Sequence, residues 1–374
     1  MDAGIPIPTP LIGLSAGAEV TCAVLANKTA RCWGRNNVGQ LGNGTTTDSV
    51  KPVAVSGLTT VASISAGYEH TCAVLDDGTA RCWGRNANGQ LGNNTVVDSQ
   101  VPVPVTGLTS VVQIEAGVST SCARTSLAAD GGSGSAVYCW GRGGELGDGT
   151  VTQSNVPRLV PGLDNVTQLS LSSNSGTATT IHVCGVRSTG AAFCWGSNAS
   201  GELGDGTQNG SRSPVVVQGI NDALEITAGG SHACARRTSG LSCWGFGQQI
   251  GDGLNMQRLS PTAVTTTATV TSISAGADHT LARTSTNGLI CWGRNSRGQC
   301  GDSAAFTASG PINLTPAPST LTGVTLLSSG NYHSCGYVAA TSLTWCWGAN
   351  DYGEIGFGTP GQPSRISVPD FVRW

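Results

Sequence analysis

Fourteen cysteines and five histidines are the residues of this chain with the most chemistry to offer, and their spacing sorts them. Cys22 recurs with Cys32, Cys72 with Cys82, Cys122 with Cys139, Cys184 with Cys194, Cys234 with Cys243, and Cys335 with Cys346. Between Cys72 and Cys82 the midpoint falls at Asp77, beside Gly78, which marks a hairpin with equal arms. Facing residues on paired strands sit close enough for two sulfurs to join. Zinc would need four clustered ligands, commonly two close Cys pairs, and no Cys-x-x-Cys occurs. Six disulfides and no metal are expected. Cys291 lacks the hairpin partner, because Leu281 stands in its place. Cys300 either fills an inward Leu position as a small hydrophobe or pairs with Cys291.

His70, His182, His232, His279 and His333 all stand two positions before a strand-opening Cys, or before Leu281. One recurring position explains every His. A catalytic His needs a nucleophile or carboxylate unique to one place, so a structural hydrogen-bonding role is expected. Asp148, Asp205, Asp252 and Asp302, with Asn43 and Asn93, follow Gly-x-Leu-Gly and its variants. Spread one to a repeat, they read as turn residues, whereas a calcium loop needs several oxygens in one short stretch. No P-loop, nucleophile elbow, His-Glu-x-x-His or dinucleotide fingerprint is present. No catalytic residue and no cofactor are expected.

The elements that carry these residues repeat. Cys-Trp-Gly occurs seven times, with Trp33, Trp83, Trp140, Trp195, Trp244, Trp292 and Trp347 at steps of 48 to 57 residues. Upstream runs an apolar alternation ending in Ala-Gly, as in Val61-Ala62-Ser63-Ile64-Ser65-Ala66-Gly67. Downstream comes Gly-Gln-Leu-Gly, then a Pro-led segment such as Val101-Pro102-Val103-Pro104-Val105. Each unit therefore reads as four short strands, with proline on the edge strand, where a missing donor costs little. Such sheets are not stable alone, and radial packing buries their faces.

The motif Ala66-Gly67-x-x-His70-Thr71-Cys72-Ala73-Val74, then Asp77-Gly78, then Trp83-Gly84-Arg85-Asn86-x-x-Gly89-Gln90-Leu91-Gly92 resembles the regulator of chromosome condensation repeat. The resemblance covers nearly the whole chain and implies an all-β fold: a seven-bladed β-propeller of four-stranded antiparallel blades, residues 1–374 as one domain. The paired cysteines are not general in that family, and they mark a secreted, disulfide-rich variant. The family's exchange-factor activity depends on an inserted wedge and a nuclear setting, and neither is found here. Its photosensing member carries extra Trp-rich repeats that are absent.

Composition narrows the task. Only 11% of residues are charged, the net charge is −3, and Lys28 and Lys51 are the sole lysines. No basic stripe exists, so nucleic acid is not an expected partner. No apolar run reaches the ~18–20 residues that span a bilayer, so no membrane insertion is expected. The opening Met1-Asp2-Ala3-Gly4 carries no basic or apolar leader segment, and a secretory leader is expected to be missing from this chain.

A non-enzymatic, monomeric binding module for a protein partner is the leading expectation. A glycan-binding propeller, an inhibitor similar to the family's β-lactamase-inhibiting propeller, and an enzyme with an unrecognised site are the alternatives. The turns after Ala-Gly vary between units while the scaffold is held, and loops carry function. Glu19, Tyr68, Glu69, Asp278, Asn331 and Tyr332 are the candidate binding residues. Tyr332, Tyr352 and Asn350 are the loose candidates for a glycan. Segments 126–136 and 303–322 offer a second irregular surface.

Overall fold

The computed structural model describes residues 10–127, 134–172, 181–302, 312–357 and 364–374. Seven four-stranded antiparallel sheets are each built from four consecutive strands, ordered first to fourth. Blade 1 comprises Leu11–Ala16, Val20–Leu25, Ala30–Gly34 and Ser49–Ala54. Blades 2 to 7 span 61–104, 111–159, 166–216, 223–263, 270–322 and 326–371. The seven-bladed propeller expected from the repeat is what the chain forms. Among the described residues no strand crosses from one blade into another.

Alternation dictates the layers. The second strand, such as His70–Leu75, is buried along its whole length, because both its faces meet neighbouring blades. The outer strand, such as Ser99–Pro104, is largely open, and its prolines sit there as expected. Apolar clusters lie between blades, not within them. Val20, Val24, Leu41 and Val55 of blade 1 pack on Val61, Ala73 and Trp83 of blade 2. Each of the seven repeat Trp residues is fully buried in such a seam. Truncating one to Ala would cost about 3–5 kcal/mol.

Six disulfides join directly opposed residues of the second and third strands, each with Cα atoms 4.1 Å apart. Cys291 and Cys300 form the seventh, with Cα atoms 5.4 Å apart, tying a third strand to the loop beyond it. That closes the alternative left by the sequence: no cysteine is free. Segment 312–322 is an extended outer strand, Ile312–Thr322, rather than a loop; 303–311 and 128–133 lie outside the described residues. Trp374 covers the seam between blades 7 and 1, edge-on to Trp33 at 5.8 Å. Trp345 packs on Phe371 of the outer strand beside it.

Candidate functional site

The hub fixes everything that surrounds it. In six of the seven blades a hydroxyl at the end of the first strand accepts the backbone N–H of the next blade. Ser15 takes Ala66 at 2.9 Å, Ser65 takes Ala116 at 3.0 Å, and Ser328 closes the ring on Ala16 at 2.9 Å. Ser170, Thr227 and Ser274 do the same. Blade 3 places Glu115 there, accepting from Ser65 and Gln113 and pushed up to about 7 by burial. The glycine that follows is required by close approach. A methyl on Gly17 would lie 2.4 Å from the Gly67 carbonyl oxygen, and one on Gly67 equally close to that of Gly117.

The histidines belong to this scaffold. His70 Nε2 lies 2.8 Å from Ser121 Oγ, which donates its proton to the Gln90 carbonyl at 2.8 Å. Trp140 donates its indole N–H to the same carbonyl at 2.9 Å. The hydroxyl has one proton and spends it on the carbonyl, so His70 must donate from Nε2. Its Nδ1 is then an unpartnered acceptor. His279 with Ser334 and Gln299, and His333 with Thr21 and Glu354, repeat the relay. His232 reaches Thr280 at 2.7 Å, while His182 meets Ala233 at the corresponding position and has no hydroxyl to reach. Burial lowers these imidazoles to about 3 for His70, His232 and His279 and about 4 for His182 and His333. They are neutral struts between blades.

The Asp turns are also structural. Asp148 and Asp205 each accept from the backbone and hydroxyl of the Thr two residues on. No group of three or more His, Cys, Asp or Glu that could hold a metal occurs among the described residues.

What remains is the face formed by the Ala-Gly turns and the loops after Trp-Gly. Glu19 pairs with Arg35, Glu69 with Arg85 at 2.8 Å, and Asp278 with Arg294 at 3.8 Å. Each acid comes from the turn and each arginine from the residue after Trp-Gly. Arg35 also stacks over Tyr352 of blade 7, 4.8 Å from the ring centre. Tyr68 lies beside Arg35, Glu19 and Glu69, and its hydroxyl is pushed up mainly by burial. Burial likewise raises Asp278 against the pull of Arg294.

Glu19, Tyr68 and Glu69 thus form one patch across blades 1 and 2, joined to blade 7 through Arg35 and Tyr352. Tyr332 is half-buried on blade 7, in the turn that precedes His333. Asp278 stands apart on blade 6. Asn331 is fully buried, and its backbone N–H binds the Gly17 carbonyl at 3.1 Å, so it belongs to the hub and offers no side chain to a partner. Asn350 is buried too, accepting from Ile355 N–H, which removes it from any glycan surface. Sequence reading missed the arginines, although Trp-Gly-Arg recurs at Arg35, Arg85, Arg142 and Arg294.

Comparison with known proteins agrees with this architecture. Two models described as Regulator of chromosome condensation (RCC1) repeat match the chain. One matches residues 12–40, 61–90 and 270–299, the other 32–74, 77–124 and 189–236, together just over half of it. The E3 ubiquitin-protein ligase HERC2 of Mus musculus is 26% identical over 233 residues, covering 60% of this chain but 4% of its own length. The Ultraviolet-B receptor UVR8 of Arabidopsis thaliana is 30% identical over 175 residues, covering 43% of this chain and 37% of its own. This chain therefore spans well under half of either relative. Among solved structures, Prp20p of Saccharomyces cerevisiae, described with binding properties to Gsp1p and histones, is similar with a TM-score of 0.76. It is 21% identical, covering 97% of this chain and 86% of that one. Human WBSCR16 is similar with a TM-score of 0.74 at 22% identity, covering 86% and 85%. With the repeat motif, the seven blades and the family matches in agreement, this chain belongs to the regulator of chromosome condensation repeat family, as a disulfide-rich member.

Proposed function

We propose that this propeller is a secreted, non-enzymatic binding module that presents its Ala-Gly turn face to a protein partner. The observation that carries the reading is the sector spanning blades 7, 1 and 2. There Arg35 is held between Glu19, Tyr68 and Tyr352, with Glu69 and Arg85 beside it. Tyr and Arg held rigidly by neighbours are the residue types that dominate protein interfaces. The recurring His and Trp positions are absorbed by the scaffold and nominate no reaction. Seven disulfides in a chain of this size favour an oxidising compartment. The description of Prp20p with Gsp1p and histones supports a protein as the class of partner.

The test is capture on immobilised protein from the extracellular milieu of its source, with the captured partner identified by mass spectrometry. Tyr68→Ala with Tyr332→Ala should weaken capture at least tenfold and leave thermal unfolding nearly unchanged. Capture that survives both changes and fails only when segment 126–136 is trimmed assigns binding elsewhere and overturns the reading.

A further inference from the structure

Blade 3 breaks the pattern by which neighbouring blades overlap. Its loop after the third strand, Trp140-Gly141-Arg142-Gly143-Gly144-Glu145, is two residues shorter than Trp33-Gly34-Arg35-Asn36-Asn37-Val38-Gly39-Gln40 of blade 1. It also lacks the asparagine that stitches the loop. In blade 1, Asn36 Nδ2 binds the Thr45 and Thr47 carbonyls, and its Oδ1 accepts from Leu41 N–H.

The shortening has a consequence at the next blade. In blades 1, 2 and 7 the loop glycine abuts the next outer strand. A methyl on Gly39 or Gly89 would lie 2.6 Å from the Cα of Gln100 or Asn155, and one on Gly353 2.7 Å from that of Val50. A methyl on Gly144 would meet nothing within 4 Å. The residue that should abut it is Arg212. The overlap closes again one turn later, where Gly149 N–H binds the Arg212 carbonyl at 3.0 Å. Between these points a cleft of about 560 Å³ opens between blades 3 and 4.

Its walls are glycine backbone, Glu145, Ile181, Ser197, Ser211, Arg212 and Ser213. Ser197 stands where blades 1, 2, 3 and 6 carry Arg35, Arg85, Arg142 and Arg294, so no long side chain fills the space. The Glu145 carboxyl is occupied by Thr120 Oγ1 at 3.2 Å and lies 3.9 Å from Arg142. Arg212 has an anchored backbone, an exposed side chain and no acidic partner among the described residues. The unanswered charge of the cleft is therefore one guanidinium, flanked by hydroxyls.

We propose that this cleft is a socket for an acidic side chain of a protein partner, an Asp or Glu whose carboxylate pairs with Arg212. A planar guanidinium takes a carboxylate through two parallel N–H bonds, and the Ser197 and Ser213 hydroxyls supply further donors, whereas the Ser211 hydroxyl is spent on the Ser213 carbonyl at 2.6 Å. The assignment rests on the protein-binding reading and gives it a second anchor point, on blades 3 and 4.

The probe is a capped heptapeptide alternating glycine and glutamate, titrated calorimetrically at low salt into the full chain, with a glycine–lysine heptapeptide as control. Saturable one-to-one binding of the glutamate peptide alone is expected. Arg212→Ala should weaken it at least tenfold, and so should Ser197→Tyr, which fills the cleft without changing charge. Arg81→Ala, in the third strand of blade 2, should leave it unchanged. Absent binding, equal binding of the lysine peptide, or an equal loss in Arg81→Ala overturns the proposal. Protein capture that depends on Tyr68 and Tyr332 but is indifferent to Arg212→Ala and Ser197→Tyr overturns the socket and leaves the binding face standing. Arg212-dependent peptide binding without any protein capture does the reverse.

Discussion

Trp33 donates its indole N–H to the backbone carbonyl of Glu354 at 2.7 Å, across 321 residues of chain. The bond is the same one that Trp195 makes to Glu145 at 2.9 Å between blades 3 and 4, so the closing junction is built like an internal one.

Equal junctions should respond equally. Trp33→Phe and Trp195→Phe each remove one donor and leave a small void, costing about 1–2 kcal/mol. Urea denaturation should give the same loss for both within about 0.5 kcal/mol. A much larger loss for Trp33→Phe would show that the closing junction is the weak one.

The buried imidazoles and carboxyls set opposing pH dependences. Five His residues have folded pKa values of about 3 to 4, below the unfolded value near 6.5. The unfolded chain binds more protons between those limits, so stability falls as pH drops through that window. Glu115, Glu145 and Glu354 are raised to about 7 from 4.5, so the folded chain holds protons the unfolded one has released. Stability from these groups is lost as pH rises from 4.5 through 7. A stability maximum near neutrality is expected, and thermal unfolding from pH 4 to 9 locates it.

Position 354 can be separated from the rest. Four blades carry Gln40, Gln90, Gln249 or Gln299 where blades 3, 4 and 7 carry Glu145, Glu202 and Glu354. Glu354→Gln should be neutral at pH 5, where the carboxyl is already protonated. At pH 8 it should stabilise by an amount on the order of 3 kcal/mol. Equal effects at both pH values would mean that Glu354 does not titrate near neutrality.

The seventh disulfide is a substitute for the regular one. Alkylation without reduction, followed by mass spectrometry, should label no cysteine. Leu281→Cys with Cys300→Leu restores the sequence pattern of the other blades, and it should form Cys291's bridge to position 281 with stability within about 1.5 kcal/mol of the parent. Two labelled thiols in that variant would show that blade 6 does not hold positions 281 and 291 in disulfide register.

At the hub, Gly67→Ala should destabilise by about 1–3 kcal/mol or more, because backbone, not a side chain, stands in the way. Gly57→Ala is the control for steric crowding, since nothing lies within 4 Å of it. Its loss should reflect only its φ of 71°.

The blades, the six hairpin disulfides and the scaffold role of His and Trp were legible because each depends on local spacing. Cys72 and Cys82 face one another by hairpin arithmetic alone. Cys291 and Cys300 did not yield to it, since a strand and the loop beyond it have no fixed separation in sequence. Asn331 looked like a turn residue open to a partner, but its backbone closes the hub, and only the ring shows that. Arg35 was visible in Trp-Gly-Arg, yet its value comes from Glu19 and Tyr352, residues of a different turn and a different blade. The short loop at Gly144 could be counted, but its opening onto Arg212 depends on knowing that Gly39 abuts Gln100.

Because every blade is one uninterrupted stretch of chain, the ring has no privileged starting point. Each connector between blades, such as 55–60, could carry the termini instead, so circular permutation should preserve the fold. The same independence means that a whole unit can be duplicated, exchanged or re-ordered as a cassette with its disulfide intact, and each such change would re-deal the residues displayed on the turn face.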